Sequence, residues 1–204
     1  MRKIIINEFM TLDGVIQGPG GPNEDTTNGF DLGGWVAKKS DEISDKILMD
    51  IMIQPYDLLL GRFTYEIWEP YWPAQTGPIA EKFSQVKKYV ASRTRKEGSW
   101  EGTVFLYGDA VEQVKALKAE EGGPDLQMWG SADFIQSLLQ NGLIDQMNIF
   151  IHPVILGKGK KLFQDGIMPG NFKLTKHTVS TTGVILGTYE ADGKVQFGNA
   201  GKGE

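Results

Sequence analysis

Short apolar runs alternate with amphipathic stretches along nearly the whole chain. Ile4-Ile5-Ile6 opens a β-branched run that reaches Phe9 and predicts a buried strand. Asp57-Leu58-Leu59-Leu60-Gly61, Lys88-Tyr89-Val90-Ala91, Thr103-Val104-Phe105-Leu106-Tyr107 and Leu126-Gln127-Met128-Trp129 predict four more. Helical spacing falls between them. Ser40 stands where it would cap a helix with Ile43, Ile47, Leu48 and Ile51 on one face. Arg62 to Trp68 reads as a short helix halted near Pro70 and Pro73. Asp109 would cap a helix carrying Val111, Val114 and Leu117, stopped by Gly122-Gly123-Pro124. Gly130-Ser131 leads into a helix with Phe134, Ile135, Leu138 and Leu139 on one face, ended by Asn141-Gly142. From Asp145 the pattern turns to strands near 146–152, 171–180 and 183–191, with a turn at Thr182-Gly183.

This alternation predicts an α/β fold: a mostly parallel central sheet, helices on both faces, and a C-terminal antiparallel hairpin at one edge. No internal repeat or composition break divides the chain, so residues 1–192 are expected to form a single domain, followed by a loose tail at 193–204. Residues 13–34, rich in glycine and proline, predict a long loop, and loops of that length in compact domains tend to carry function. Hydrophobic residues at 40% and charged residues at 23% place the chain among ordinary globular proteins. A net charge of −5 argues against a nucleic-acid-binding surface, so a bound phosphate would need a local positive pocket. The absence of cysteine excludes disulfides, thiolate nucleophiles and Cys-based zinc sites. No stretch reads as a signal peptide or membrane span, so no membrane association and a cytoplasmic location are expected.

In a sheet of this kind, ligands bind beyond the carboxyl ends of the strands. Three strand-to-helix or strand-to-loop turns there carry phosphate-binding chemistry. Gly61-Arg62-Phe63-Thr64 offers free first-turn amides, a helix dipole and a guanidinium. Ala91-Ser92-Arg93-Thr94 adds two hydroxyls and a second guanidinium, and Gly130-Ser131-Ala132 is a small-residue turn into a helix. Each alone reads first as strand punctuation or an N-cap; the phosphate reading rests on all three occurring in order. Acid–base candidates are few. His152, just before Pro153, reads as a packed or interface histidine. Asp41 and Asp45 lie one helical turn apart beside the apolar stripe, where a carboxylate at a pocket edge could be raised in pKa and orient a heterocycle, or could simply be solvated. Asp13 either lines the pocket or makes an Asp-Gly turn with Gly14. Gly157-Lys158-Gly159-Lys160-Lys161 lacks the spacing of a phosphate loop and reads as a lysine-rich surface turn. No cluster has metal-ligand spacing.

Thr11-Leu12-Asp13-Gly14, Leu58 to Glu66, Lys88 to Ser92, Gly130-Ser131-Ala132-Asp133, Gly142-Leu143-Ile144-Asp145 and Ile151 to Gly159 together resemble the family containing dihydrofolate reductase and the reductase domain of bacterial riboflavin biosynthesis. The pieces keep the family's order from residue 4 to about residue 190. The resemblance implies that Gly61, Arg62 and Thr64 contact the phosphates of NADPH, that Ser92 and Arg93 lie near its adenosine 2′-phosphate, and that Gly130, Ser131 and Ala132 lie near its pyrophosphate. It also implies that Asp13 and the loop through Trp35 border the nicotinamide and substrate, and that Asp45 lies on the helix that carries the pterin-binding acid. Where relatives often have a second glycine, this chain has Ser131. A homodimer formed through the C-terminal strands is implied as well.

The leading expectation is an NADPH-dependent reductase that delivers hydride to a small heterocycle, similar to the aminouracil reductase of riboflavin biosynthesis or to dihydrofolate reductase, with Asp13 and Asp45 as candidate acids and Trp35 in the substrate pocket. The alternatives are a non-catalytic dinucleotide- or small-ligand-binding homodimer of the same fold, and a pocket that holds a flavin.

Overall fold

The computed structural model describes residues 1–199 and 201. Its strands are β1 (Ile4–Thr11), β2 (Tyr56–Gly61), β3 (Lys88–Ser92), β4 (Thr103–Tyr107), β5 (Asp125–Met128), β6 (Gln146–His152), β7 (Phe172–Val179) and β8 (Ile185–Ala191). Its helices are α1 (Glu42–Met52), α2 (Arg62–Tyr71), α3 (Pro78–Gln85), α4 (Ala110–Ala119) and α5 (Ala132–Gln140). The strands form one sheet in the order β4-β3-β2-β5-β1-β6-β8-β7. The first six run parallel, and β8 pairs antiparallel with both β6 and β7. The fold is the expected α/β sheet with its closing hairpin.

Pleating divides the apolar residues between two cores. Ile4, Ile6, Leu59, Leu126 and Met128 pack with Val114 and Leu117 of α4 and with Ile135, Leu138 and Leu139 of α5. On the other face Leu58, Leu60 and Val90 pack with Met52 of α1 and Phe83 of α3. Helices cover both faces, so β2 is buried from end to end and its sequence is apolar without alternation. Buried amides fix the register across the middle of the sheet. Asn7 donates to Gln127 (3.2 Å), Asn148 donates to Asn7 (2.7 Å), and the Thr188 hydroxyl donates to Asn148 (2.9 Å). A one-residue slip would leave these groups buried and unpaired.

Four details depart from the pattern of the sequence. Asp41, not Ser40, caps α1: it accepts from the Ser44 amide while the Ser44 hydroxyl accepts from the Asp41 amide, a reciprocal pair that Ser40 cannot make. Ile43 is exposed, and α1 turns Ser44, Ile47, Leu48, Ile51 and Met52 inward instead. Helix α2 runs through Pro70 to Tyr71, because Pro70 falls in the last turn and its missing N–H interrupts the ladder only at its end. Helix α3 was not expected at all. Its start is marked by Gly77 and by Pro78 at the first helical position, but eight residues give too short a run for periodicity to stand out. Residues 193–199 of the expected tail form no helix or strand, and residues 200 and 202–204 lie outside the described residues.

The start of β1 is fixed by a buried cation. Arg2, 3% exposed, donates to the Pro124 carbonyl and to Asp57, each at 2.5 Å, and reaches Glu120 at 3.2 Å. Arg2→Ala would leave the Asp57 carboxylate buried without its counter-ion, and about 3–5 kcal/mol of stability is expected to be lost. Adding Asp57→Asn should recover part of that loss in urea unfolding; equal destabilisation by single and double variants would contradict the pairing.

Candidate active site

A crevice follows from the length of β5. This strand lies between β1 and β2 but pairs with β1 only along Ile4–Ile6 and with β2 only along Tyr56–Leu58. Past Met128 the chain leaves the sheet for α5, while β1 continues to Thr11 and β2 to Gly61. Chain order also changes direction here, since β2, β3 and β4 extend the sheet one way before β5 returns to fill the gap beside β1. Ligand crevices in open α/β sheets form at such switch points. A cavity of about 1370 Å³ opens at this place.

The three turns singled out in the sequence converge on it. Gly61, Arg62, Phe63 and Thr64, then Ser92, Arg93 and Thr94, then Gly130, Ser131 and Ala132 all line the cavity. Two of them interlock. The Ser131 hydroxyl accepts from the Thr64 amide (3.2 Å) and shares a hydrogen bond with the Thr64 hydroxyl (2.7 Å), so it caps α2 from the neighbouring turn and makes no capping bond to its own helix. This contact requires both glycines. A Cβ on Gly61 would stand 2.4 Å from the Ser131 hydroxyl, and one on Gly130, where φ is +78°, would stand 2.8 Å from the Thr64 hydroxyl. Ser92 is buried and accepts from the amides of Thr94 (3.3 Å) and Arg95 (2.7 Å), which curls the chain so that exposed Arg93 stands at the rim. Arg62 is held by Glu66, 2.8 Å from each carboxylate oxygen. Two helix N-termini, two guanidiniums and several hydroxyls therefore face one space, a donor set that fits the phosphates of a dinucleotide.

The acid candidates are placed differently. Asp13 does not line the cavity; it accepts from the Thr11 hydroxyl (2.6 Å) and from the amides of Leu156 (3.3 Å) and Gly157 (2.8 Å), which hold its pKa below the ordinary value. Asp45 is exposed on the outer side of α1 beside Ser40, away from the cavity. Trp35 is buried, but off the cavity: its indole donates to the Gln17 carbonyl (3.0 Å) and its ring meets His152 edge-on at 5.2 Å. His152 is packed between the rings of Phe9 and Trp35, and burial lowers its pKa. The long loop does reach the site, through residues 16–25.

The buried carboxyl of the crevice is Glu8, 5% exposed on β1 and opposite the Gly130 turn. Desolvation pushes its pKa up to about 8; the Gly130 amide, which donates to it, opposes the shift, and the nearby Glu24 adds to it. Glu24 also lines the cavity and is itself raised by burial, while accepting from the amides of Gly20 and Gly21. A carboxyl that stays neutral at pH 7 can donate a proton. The signal in the sequence was an ionisable residue inside a run otherwise read as a buried strand. Among the described residues no cluster of His, Asp and Glu could hold a metal ion, and no helix is long and apolar enough to cross a membrane.

The RibD C-terminal domain model matches residues 2–186. The chain belongs to the RibD C-terminal domain family. Among proteins similar to this RibD-type domain is the Bacillus subtilis (strain 168) protein YyaP, 31% identical over 197 residues that cover 94% of this chain and 96% of the relative. Solved structures carry the same dihydrofolate-reductase-like fold. One is a putative riboflavin biosynthesis protein from Shewanella sp. PV-4, with a TM-score of 0.64, 23% identity, and coverage of 93% of this chain and 99% of that one. A pyrimidine reductase-like protein from Corynebacterium diphtheriae aligns at 0.63 with 13% identity, covering 94% and 92%. Dihydrofolate reductase from Enterococcus faecalis, in a complex containing NADP(H), aligns at 0.60 with 14% identity, covering 93% and 96%.

The interlocked turns give a direct test. Gly61→Ala is expected to destabilise the protein by about 1–3 kcal/mol through overpacking against Ser131. Adding Ser131→Gly should recover part of the loss, since Phe134 Cβ at 3.3 Å still limits the space. Thermal unfolding of the two variants checks this, and additive losses would argue against the contact.

Proposed function

We propose that this RibD-type domain is an NADPH-dependent reductase of a small heterocyclic substrate, with Glu8 as the proton donor. The observation that carries the reading is the meeting, in one crevice, of three phosphate-suited turns and a single buried, proton-bearing carboxyl. NADPH bound there would supply a hydride. Gly61, Arg62, Thr64 and the Gly130–Ala132 turn would hold its phosphates, with Ser92 and Arg93 at the adenosine end. The chemistry supplied there would be reduction of a C=O or C=N bond at carbon, and Glu8 would give its proton to the oxygen or nitrogen that gains the bond's electron pair. Solvent then reprotonates Glu8. The protein's part is to position the reactants, exclude water and keep that proton in place.

Three cavity-lining tryptophans, Trp68, Trp72 and Trp129, make binding visible. Titration with NADPH is expected to quench tryptophan fluorescence saturably. Arg62→Ala should weaken the affinity by about tenfold, the scale of one charge-assisted hydrogen bond. Absence of saturation would sink the reading. Saturable binding with no turnover on pteridine, pyrimidine or quinone substrates would instead favour the non-catalytic alternative.

A proton donor with a pKa near 8 makes turnover fall as the pH rises through about 8. The same group links pH to stability. Between about pH 4.5 and about 8 the folded chain holds a proton at Glu8 that the unfolded chain has released, so this contribution to stability is present below that window and lost as pH rises through it. Glu8→Gln should abolish most turnover, leave NADPH binding in place and flatten the fall in melting temperature across the window. A variant whose melting profile matches the parent protein would show that Glu8 does not titrate there.

A further inference from the structure

Away from the phosphate-suited turns, the cavity wall changes character. Phe9, Leu48, Met52, Trp68, Trp72 and Phe83 line it from β1, α1, α2, α3 and the turn after α2. Trp68 stacks on Phe83 at 5.0 Å, and Trp72 meets both edge-on, at 5.8 Å and 4.8 Å. The indole N–H groups of Trp72 and Trp129, both at this wall, are buried with no acceptor among the described residues. Both nitrogens lie inside the wall, so the face turned to the cavity is aromatic and apolar.

Charge is distributed just as unevenly. The basic residues that line the cavity are Arg62, Arg93 and Lys160, against six carboxyls: Glu8, Glu24, Asp25, Glu66, Asp109 and Asp133. Arg62 is paired with Glu66, and Lys160 is paired with Asp25 at 2.7 Å and lies over the Phe63 ring at 4.0 Å. Arg93 is the one lining cation outside an ion pair among the described residues, and it stands with the phosphate-suited turns. Lys82 of α3 lies over the Tyr56 ring and does not line the cavity. A dinucleotide would engage the available cations, leaving a second anionic molecule next to Glu8 and Glu24 with no counter-ion. The volume exceeds the roughly 300–1,000 Å³ of an ordinary single-ligand pocket, which leaves room for a second molecule.

Resting on the reductase reading, we infer that the substrate is a flat, uncharged, conjugated ring compound bearing a carbonyl or imine and no phosphate. Its ring would lie against the Trp68–Phe83 wall, with its carbonyl or imine toward Glu8. This sets the chain apart from a reductase of phosphorylated pyrimidines, whose substrate brings a dianion that this wall has no means to neutralise.

Two fluorescent probes share a ring system and differ in charge: lumichrome is neutral, and riboflavin 5′-phosphate carries a phosphorylated side chain. Each is titrated into the full-length protein with saturating NADP⁺ and again without it. Lumichrome is expected to bind at least about tenfold more tightly than riboflavin 5′-phosphate when NADP⁺ is present, the scale of one uncompensated charge. Leu48→Arg, which places a cation on the wall from a half-buried position, should narrow or reverse that preference. Equal or tighter binding of riboflavin 5′-phosphate overturns the inference, as does failure of both probes to bind a protein that binds NADP⁺. If NADP⁺ itself fails to bind, the reductase reading falls, and the titration without it still decides the ligand class of the wall.

Discussion

The end of β5 at Met128 is the constraint on which the site depends. A strand of four residues sits between two longer ones, and each neighbour runs on past it. The gap would expose backbone and apolar side chains on both sides if nothing closed it. Gly130 and Ser131 partly close it, reaching one neighbour through Glu8 and the other through Thr64. A left-handed glycine is needed to turn the chain this sharply, and the absent side chain leaves room for the Thr64 hydroxyl. The same few atoms thus terminate β5, start α5, cap α2 and set the position of the buried carboxyl.

Electrostatics explains the rest of the rim. A chain with a net charge of −5 must build any anion site from local donors, and the crevice turns offer helix N-termini and individually placed cations. The lysine-rich turn after β6 belongs to this design, though not as a phosphate loop. Lys158 pairs with Asp31 and Lys160 with Asp25, while Asp13 accepts the amides of Leu156 and Gly157. These links clasp the long loop to the end of the sheet, and a main-chain bridge joins Val15 to Lys161. The loop's glycines are then presented to the cavity by an anchored base.

Most of the fold was legible because parallel strands buried on both faces leave short apolar runs bounded by turn residues; β2 and the start of β1 are the clearest instances. Helix α3 and the extension of α2 through Pro70 were not legible, since both depend on tertiary burial of Phe83 and Trp68 rather than on local propensity. The turns were found because strand ends carrying glycine, hydroxyl and guanidinium can be read in order. The acid was not. Asp13 and Asp45 stand at positions that spacing alone makes attractive, yet one is consumed by loop amides and the other faces solvent. Glu8 sits inside a strand, where a pattern-based reading sees only an exception to the apolar run.

That exception has a physical logic. A carboxyl on a loop or an exposed helix face is solvated and stays ionised at neutral pH, so it can accept a proton but has none to give. Holding a carboxyl neutral requires burial, and burial is most secure on a strand whose neighbours are fixed by the sheet. Glu8 meets that requirement between β6 on one side and the Gly130 turn on the other. Its single amide donor gives it a fixed orientation without enough hydrogen bonding to restore the charge. The Gly130 turn thus both lines the crevice and supplies the hydrogen bond that opposes the raised pKa of Glu8.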